Sequence, residues 1–201
     1  MNIFLRAAAY LFHPLLMPLL GTLLYYFITP RYVEPEMLVA KLTAVCIITF
    51  LIPLVTFFLL KNLNVVSSIH LESVSERKIP LMLQSILLLL IIKMVFDPYD
   101  SPELYYFFVG ILFSALTALI LVFFKIKISL HQMGIAGVTM FLIALSAHFK
   151  VNLLLWIIAL FVANGWVASS RLHTESHINS ELIIGMFIGL LPQLILLNFW
   201  L

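Results

Sequence analysis

The sequence predicts an all-α fold: a polytopic transmembrane bundle of about six to seven helices that forms a single domain over residues 1–201. Two observations carry this prediction. Hydrophobic residues make up 64% of the chain, and apolar runs of nearly bilayer length alternate with short polar segments. Charged residues make up only 10%, well below the usual share in a soluble domain. The formal net charge of +2 gives no reason to expect a nucleic-acid partner.

The first predicted span extends from about Ala8 to Thr29 and contains the sequence HPLLMP. Its two prolines are expected to bend the helix. We interpret His13, which precedes the first proline, as an interfacial or internally hydrogen-bonded histidine with a structural role. A second span, from about Met37 to Leu60, contains the single cysteine, Cys46, which is typical of a small core residue.

Five further spans are predicted after a polar segment from Lys61 to Pro80. Their approximate limits are Pro80 to Phe96, Leu104 to Phe124, Ser129 to Ala147, Leu153 to Ala168 and Leu182 to Leu201. Two spans separate the Lys61 to Pro80 segment from His131, and two more separate His131 from His177. Both histidines and that segment are therefore expected on one face of the membrane. Gly134 and Gly137 favour close approach of a neighbouring helix.

The polar stretch Ser169 to Gly185, SSRLHTESHINSELIIG, concentrates the strongest proton-handling side chains of the chain. If this stretch is one helix, His173, His177 and Glu181 lie on one face at i, i+4 spacing. A neutral histidine can attack phosphorus, and a carboxylate bonded to its other ring nitrogen orients it. Glu181 is placed for that role one turn after His177. Arg171 suits phosphate oxygens because arginine binds them in a bidentate manner.

Two other polar segments offer partners for this stretch. His131, on a different predicted helix, is suited to protonate a leaving oxygen. Arg77 and Lys78 abut an apolar run, where cations contact either lipid headgroups or a bound anion. We interpret the remaining histidines, His70, His148 and His173, as interfacial structural residues.

The sequence SRLHTESHINSE resembles the third signature of the type-2 phosphatidic acid phosphatase and haloperoxidase superfamily. That signature reads Ser-Arg, five residues, His, three residues and Asp. Ser170, Arg171 and His177 are in register with it, and Glu181 stands in place of the aspartate. We interpret the chain as similar to a divergent, bacterial-type membrane branch of this superfamily.

The other two signatures are partly present. KISLH is similar to the second signature, Pro-Ser-Gly-His, through Ser129 and His131, with isoleucine and leucine in place of the proline and glycine. The first signature is Lys, six residues and Arg-Pro. SERKIP offers Arg77 and Lys78 ahead of Pro80, with isoleucine where the arginine is expected.

The resemblance covers about residues 62–201 and implies a histidine phosphatase-like core. It implies that His177 forms a phosphohistidine, that Glu181 is its partner and that His131 is the general acid. The implied phosphate-binding residues are Arg171, Arg77, Lys78, Ser129 and Ser170. No metal or other cofactor is implied. The implied partner is a membrane lipid phosphate, such as phosphatidate, polyprenyl diphosphate or lipid A, in a bacterial inner membrane.

Two alternatives remain open at the level of sequence. His173, His177 and Glu181, with His131 as a fourth ligand, are plausible metal ligands of an intramembrane hydrolase, although the cation of Arg171 opposes a metal there. The altered signatures also favour a protein that binds or transports a lipid phosphate without turnover.

The orientation in the membrane is undecided from the sequence. Seven basic residues are expected on the face that carries the site and four on the other, a slight preference for a cytoplasmic site. The preference disappears when Arg77, Lys78 and Arg171 are assigned to substrate. Nothing in the sequence indicates an oligomeric state.

Overall fold

The computed structural model describes residues 3–66 and 73–201, and these ranges contain helices and no strands. The predicted all-α class is therefore confirmed. Residue His70 lies outside the described residues. The helices are α1 (Ile3–Leu11), α2 (Met17–Ile28), α3 (Pro35–Asn62), α4 (Lys78–Met94), α5 (Pro102–Phe123), α6 (Leu130–Phe149), α7 (Leu154–His173) and α8 (Asn179–Leu196).

Several of these helices can cross a bilayer. Among the described residues, five are long and apolar enough: α3, α5, α6, α7, and α8 together with its short 3₁₀ extension. The pair α1 and α2 adds a sixth if its 43° bend lies within one span. Helix α4 has 17 residues, about 26 Å of helix against a hydrocarbon core of about 30 Å. The chain is thus built as an integral membrane protein, and a seventh span depends on the shorter α4.

The first predicted span is broken at HPLLMP into α1 and α2. His13 has a ψ of 136°, because a residue before proline avoids the α-helical region. A 3₁₀ turn at Pro14–Leu16 follows and leads directly into α2. His13 lies at the break and belongs to neither α1 nor α2.

Helix α6 is the centre of the bundle, and it packs against α2, α5, α7 and α8. Its contact with α8 is the most extensive, and the two backbones touch at glycines. A Cβ at Gly185 would lie 2.6 Å from the carbonyl oxygen of Ser129, and one at Gly189 would collide with the carbonyl oxygen of Met133. Gly185 lies against Ser129, and Gly189, four residues later, lies against Met133, also four residues later. Helices α6 and α8 therefore run parallel with their N-termini side by side.

The polar residues of the predicted site meet at these two N-termini. The Ser129 N–H donates to the carbonyl oxygen of Glu181 at 3.1 Å, which joins the starts of α6 and α8. His131 lies in the first turn of α6. The predicted glycine contacts also form: a Cβ at Gly134 would lie 2.8 Å from Met17, and one at Gly137 would lie 3.3 Å from the backbone of α8.

A buried charge cluster lies at the other end of α6. The carboxylate of Glu103 is fully buried and lies 2.8 Å from Nη2 of Arg31. Nε2 of His148 lies 3.1 Å from the same carboxylate, and the hydroxyl of Tyr25 donates to it at 3.3 Å. These partners compensate the buried charge. His148 is 17 residues beyond His131, roughly 25 Å along the helix, so the cluster is remote from the predicted site.

Candidate active site

The polar stretch Ser169 to Gly185 forms a helix, a turn and a second helix. Helix α7 ends within it, and the Ser176 N–H donates to the carbonyl oxygen of Arg171 at 3.1 Å. Glu175 has a φ of +52°. This hydrogen bond with a left-handed residue before it is the Schellman ending of an α-helix. The expectation of one continuous helix through this stretch is therefore wrong.

The turn separates His173 from the two other residues of the expected helical face. His173 is exposed at the end of α7, whereas His177 is buried in the turn itself. Glu181 lies in the first turn of α8 and reaches back to His177. Nδ1 of His177 and Oε2 of Glu181 are 2.6 Å apart.

The geometry of this pair fixes the state of the histidine ring. A carboxylate only accepts hydrogen bonds, so Nδ1 of His177 carries the proton and Nε2 of the neutral ring has a free electron pair. Burial lowers the pKa of His177 below its usual value of 6.5, and the charges of Arg77 and Arg171 lower it further, while Glu181 acts in the opposite direction. The ring is therefore neutral at pH 7.

A cavity of about 270 Å³ opens beside the pair. Its polar lining consists mainly of His13, Arg77, His131, Arg171 and His177. The remaining wall is mainly apolar, with Thr56, Gln84, Ser114 and Gln193 among its residues, and is supplied largely by α3, α4, α5 and α6. The cavity therefore combines cationic and histidine side chains with a largely apolar wall.

The two arginines make the polar lining of the cavity electropositive. Both are buried, and Nη1 of Arg77 donates to the carbonyl oxygen of Ile128 at 2.8 Å, just before α6. Nε of Arg171 is buried and has no hydrogen-bond partner among residues 3–66 and 73–201. A buried donor in this state requires an acceptor. The site is therefore suited to an anion that can accept a hydrogen bond from Nε of Arg171.

Three residues of the predicted phosphate site lie outside the cavity lining. Lys78 is exposed, and its ammonium group lies 4.5 Å from the ring centroid of Phe123. The Ser129 hydroxyl caps α6 by accepting a hydrogen bond from the Gln132 N–H at 3.3 Å. The Ser170 hydroxyl is fully buried and has no partner in the described part of the chain. A phosphate-binding role for these three residues stays a prediction, while Arg77 is the cation that reaches the cavity.

His13 is the residue that sequence reasoning missed. It is internally bonded, since its Nδ1 accepts a hydrogen bond from the Leu15 N–H at 3.3 Å. It also lines the cavity, and its ring lies in a T-shaped contact with His131 at a centroid distance of 5.3 Å. The signal was available in HPLLMP. Breaks in membrane helices are tolerated where the backbone is buried in protein or lines a cavity, so a histidine at such a break is favoured as a site residue.

The metal-ligand alternative loses its geometric basis. It depended on His173 sharing a helical face with His177 and Glu181, which the turn prevents. Within the two described ranges, no three histidine, cysteine, aspartate or glutamate side chains are grouped to hold a metal ion. The positive charges of Arg77 and Arg171 beside His177 also oppose the binding of a metal cation.

The fold and the site together define an integral membrane protein with a buried histidine–carboxylate pair in an electropositive cavity. Comparison with known proteins finds no matching family model, no matching curated protein and no matching solved structure. The functional argument therefore depends on the residues of this site.

Proposed function

We propose that this protein is a membrane lipid phosphatase that hydrolyses a phosphomonoester or diphosphate of a lipid through a phosphohistidine at His177. The observation that carries the proposal is the His177–Glu181 pair, whose histidine is buried and lines a largely apolar cavity together with Arg77 and Arg171. The resemblance of three sequence segments, two of them partial, to signatures of the type-2 phosphatidic acid phosphatase superfamily points to the same chemistry and to a histidine phosphatase-like core.

In the first step, Nε2 of His177 attacks phosphorus. The lone pair of Nε2 forms the N–P bond while the P–O bond to the lipid breaks, and the phosphorylated ring becomes cationic. Glu181 stabilises that cation through Nδ1–H. Arg77 and Arg171 hold the phosphoryl oxygens and neutralise charge that develops on them.

His131 supplies the proton in this scheme. Its Nε2 lies 3.1 Å from the carbonyl oxygen of Ala9 and donates to it, so Nδ1 is the nitrogen that serves the substrate. A proton carried on Nδ1 passes to the leaving oxygen as the P–O bond breaks. In the second step, water attacks phosphorus and returns a proton to Nδ1. The N–P bond breaks, phosphate leaves and His177 is regenerated.

The largely apolar wall of the cavity supports a lipid as the substrate. Phe57 and Leu60 of α3 and Leu87 and Leu88 of α4 line it. Only 11% of the most apolar part of α3 is buried within the protein, so this wall of the cavity lies next to bilayer lipid. A hydrocarbon chain can thus extend from the phosphate site along α3 and α4 without entering water.

The test is a panel of lipid phosphates presented to the purified protein in detergent micelles. Phosphatidate, polyprenyl phosphate, polyprenyl diphosphate and a lipid A-type phosphate cover the substrate class, and released phosphate is measured. Turnover of at least one lipid is expected. Binding of a lipid phosphate without any release would instead favour the binding or transport alternative, because a site can hold a phosphate without stabilising the transition state.

Glu181→Gln is expected to lower turnover by roughly 10²-fold and to change KM little. A glutamine can keep a contact with Nδ1 of His177, but it cannot stabilise the cationic phosphohistidine by charge. The measurement is kcat and KM for the best lipid of the panel. Glu175→Gln, in the exposed part of the turn, is the matched control. Equal rates for wild type and Glu181→Gln would remove Glu181 from the mechanism.

Turnover is expected to persist below pH 6.5 and to fall as the pH drops through the lowered pKa of His177, because the protonated ring cannot attack. Arg77→Gln removes a charge that lowers this pKa, so its acid limb should lie at higher pH. Profiles of kcat/KM for both proteins with one substrate provide the measurement, since ionisation of the substrate then affects both equally. An acid limb at or above pH 6.5 in wild type would contradict the assignment.

A further inference from the structure

We propose that His13 contacts the substrate as a neutral hydrogen-bond donor, through Nε2–H, in the polar lining of the cavity. The first membrane segment, residues 3–28, would then complete a phosphate site whose other residues come from beyond residue 76. This inference rests on the proposed function of the same cavity, and it adds a substrate-contacting residue that lies outside the signature-like segments.

The backbone at the helix break fixes which nitrogen of His13 carries the proton. Nδ1 of His13 accepts a hydrogen bond from the Leu15 N–H at 3.3 Å, as a capping side chain for the 3₁₀ turn. The neutral ring therefore carries its proton on Nε2. No hydrogen bond joins Nε2 to another described residue, and the residue lines the cavity. Nε2–H is therefore available to an acceptor that enters the cavity.

The first membrane segment also holds the proposed general acid in place. His131 is fixed by the Ala9 carbonyl oxygen at Nε2, 3.1 Å away, and by the ring of His13 in a T-shaped contact. One turn further along α6, Gly134 lies directly against Met17. The two histidine rings are therefore held next to each other by contacts on both sides of the break at His13.

A neutral donor meets a need that a further cation would not. Arg77 and Arg171 already supply two positive charges, and both lie in the same cavity lining as His13. An imidazole N–H adds directionality toward a phosphoryl or leaving-group oxygen without further charge repulsion. Since His131 also lines the cavity, we place the acceptor oxygen of the substrate on the cavity side of the two rings, which are themselves in contact.

The two roles of His13, capping and donation, can be separated by a matched pair of variants. Asparagine is a favoured capping residue, and its side-chain oxygen can replace Nδ1, but it is too short to place a donor where Nε2–H lies. Glutamine reverses this, since its amide nitrogen reaches the position of Nε2 while the capping geometry is lost. His13→Asn thus retains the cap, and His13→Gln retains the donor.

The experiment measures three quantities in full-length protein: turnover of the best lipid phosphate, affinity for inorganic phosphate as the probe, and melting temperature in detergent. His13→Asn is expected to lose about 10- to 100-fold in turnover and several-fold in phosphate affinity while it melts close to wild type. His13→Gln is expected to stay within a few-fold of wild type in turnover. His173→Gln, at an exposed position, should behave as wild type in all three.

The outcomes separate this inference from the proposed function. An active His13→Asn with an impaired His13→Gln would assign His13 to the cap alone and overturn the inference, as would two variants indistinguishable from wild type. If no lipid is hydrolysed but His13→Asn alone weakens phosphate binding, the donor role stands and the phosphatase proposal fails. A wild-type protein that neither binds phosphate nor releases it would overturn both.

Discussion

His177→Asn is expected to reduce phosphate release by at least about 10³-fold for every lipid phosphate that the wild-type protein hydrolyses. The side-chain amide of asparagine can still donate to Glu181, which lies 2.6 Å from Nδ1 of the histidine. The partly buried carboxylate of Glu181 therefore keeps a partner, and the variant should fold. What it lacks is the Nε2 lone pair, so no covalent intermediate can form.

The intermediate itself can be measured. Wild-type protein mixed with a lipid labelled on phosphorus and quenched in base should carry label that is released by acid, as a phosphoramidate is. His177→Asn should carry none, and His173→Asn should carry as much as wild type because His173 is exposed outside the cavity. Label on His177→Asn, or turnover close to that of wild type, would exclude His177 as the nucleophile.

Much of the architecture could be predicted because the chain folds in a lipid bilayer, which restricts the structures that it can form. In a bilayer, every backbone polar group needs an internal partner, so apolar runs of sufficient length become helices. Counting them placed His131 and His177 on one face, and the parallel arrangement of α6 and α8 is consistent with that count. The bounds of α4 could not be obtained in this way, since the helix Lys78–Met94 begins and ends two residues before the predicted span, Pro80 to Phe96.

The local geometry of the site was harder to predict. Glu175 ends α7 in a left-handed conformation, with a φ of +52°, although glycine is the usual residue at such an ending. Without a glycine or proline as a signal, the sequence favours one continuous helix. The predicted proximity of His177 to Glu181 does not depend on a continuous helix. Residues that are four apart in sequence lie close together both within a helix and across the start of one.

Contacts between distant segments were beyond sequence reasoning. His131 is joined to Ala9, 122 residues earlier, and no local pattern records such a pairing. The same holds for the choice between Arg77 and Lys78. The two are adjacent, but only Arg77 lies at the cavity, while Lys78 contacts Phe123. Which of two neighbouring cations points inward depends on helix rotation, and an apolar helix with hydrophobic residues on all sides does not specify its rotation.

Gly189→Ala is expected to separate α6 from α8 and so to disrupt the site along with the fold. The added Cβ would collide with the carbonyl oxygen of Met133 and would lie 3.1 Å from the backbone nitrogen of Gly137. Both are backbone atoms of the central helix, so no side chain can move aside to relieve the overlap. We expect a loss of about 2–4 kcal/mol in stability, measured as a lower melting temperature in detergent, together with loss of turnover.

The chain contains its own control for this effect. Gly165, on α7, has no atom within 4 Å of the position that a Cβ would occupy. Gly165→Ala should therefore be neutral or stabilise the protein by up to about 1 kcal/mol, because alanine favours a helix more than glycine does. The opposite signs of the two substitutions isolate backbone contact from helix propensity. Equal melting temperatures for Gly189→Ala and Gly165→Ala would contradict this prediction. The start of α8, with Glu181, would then be held against the start of α6, with His131, by something other than the glycine contact.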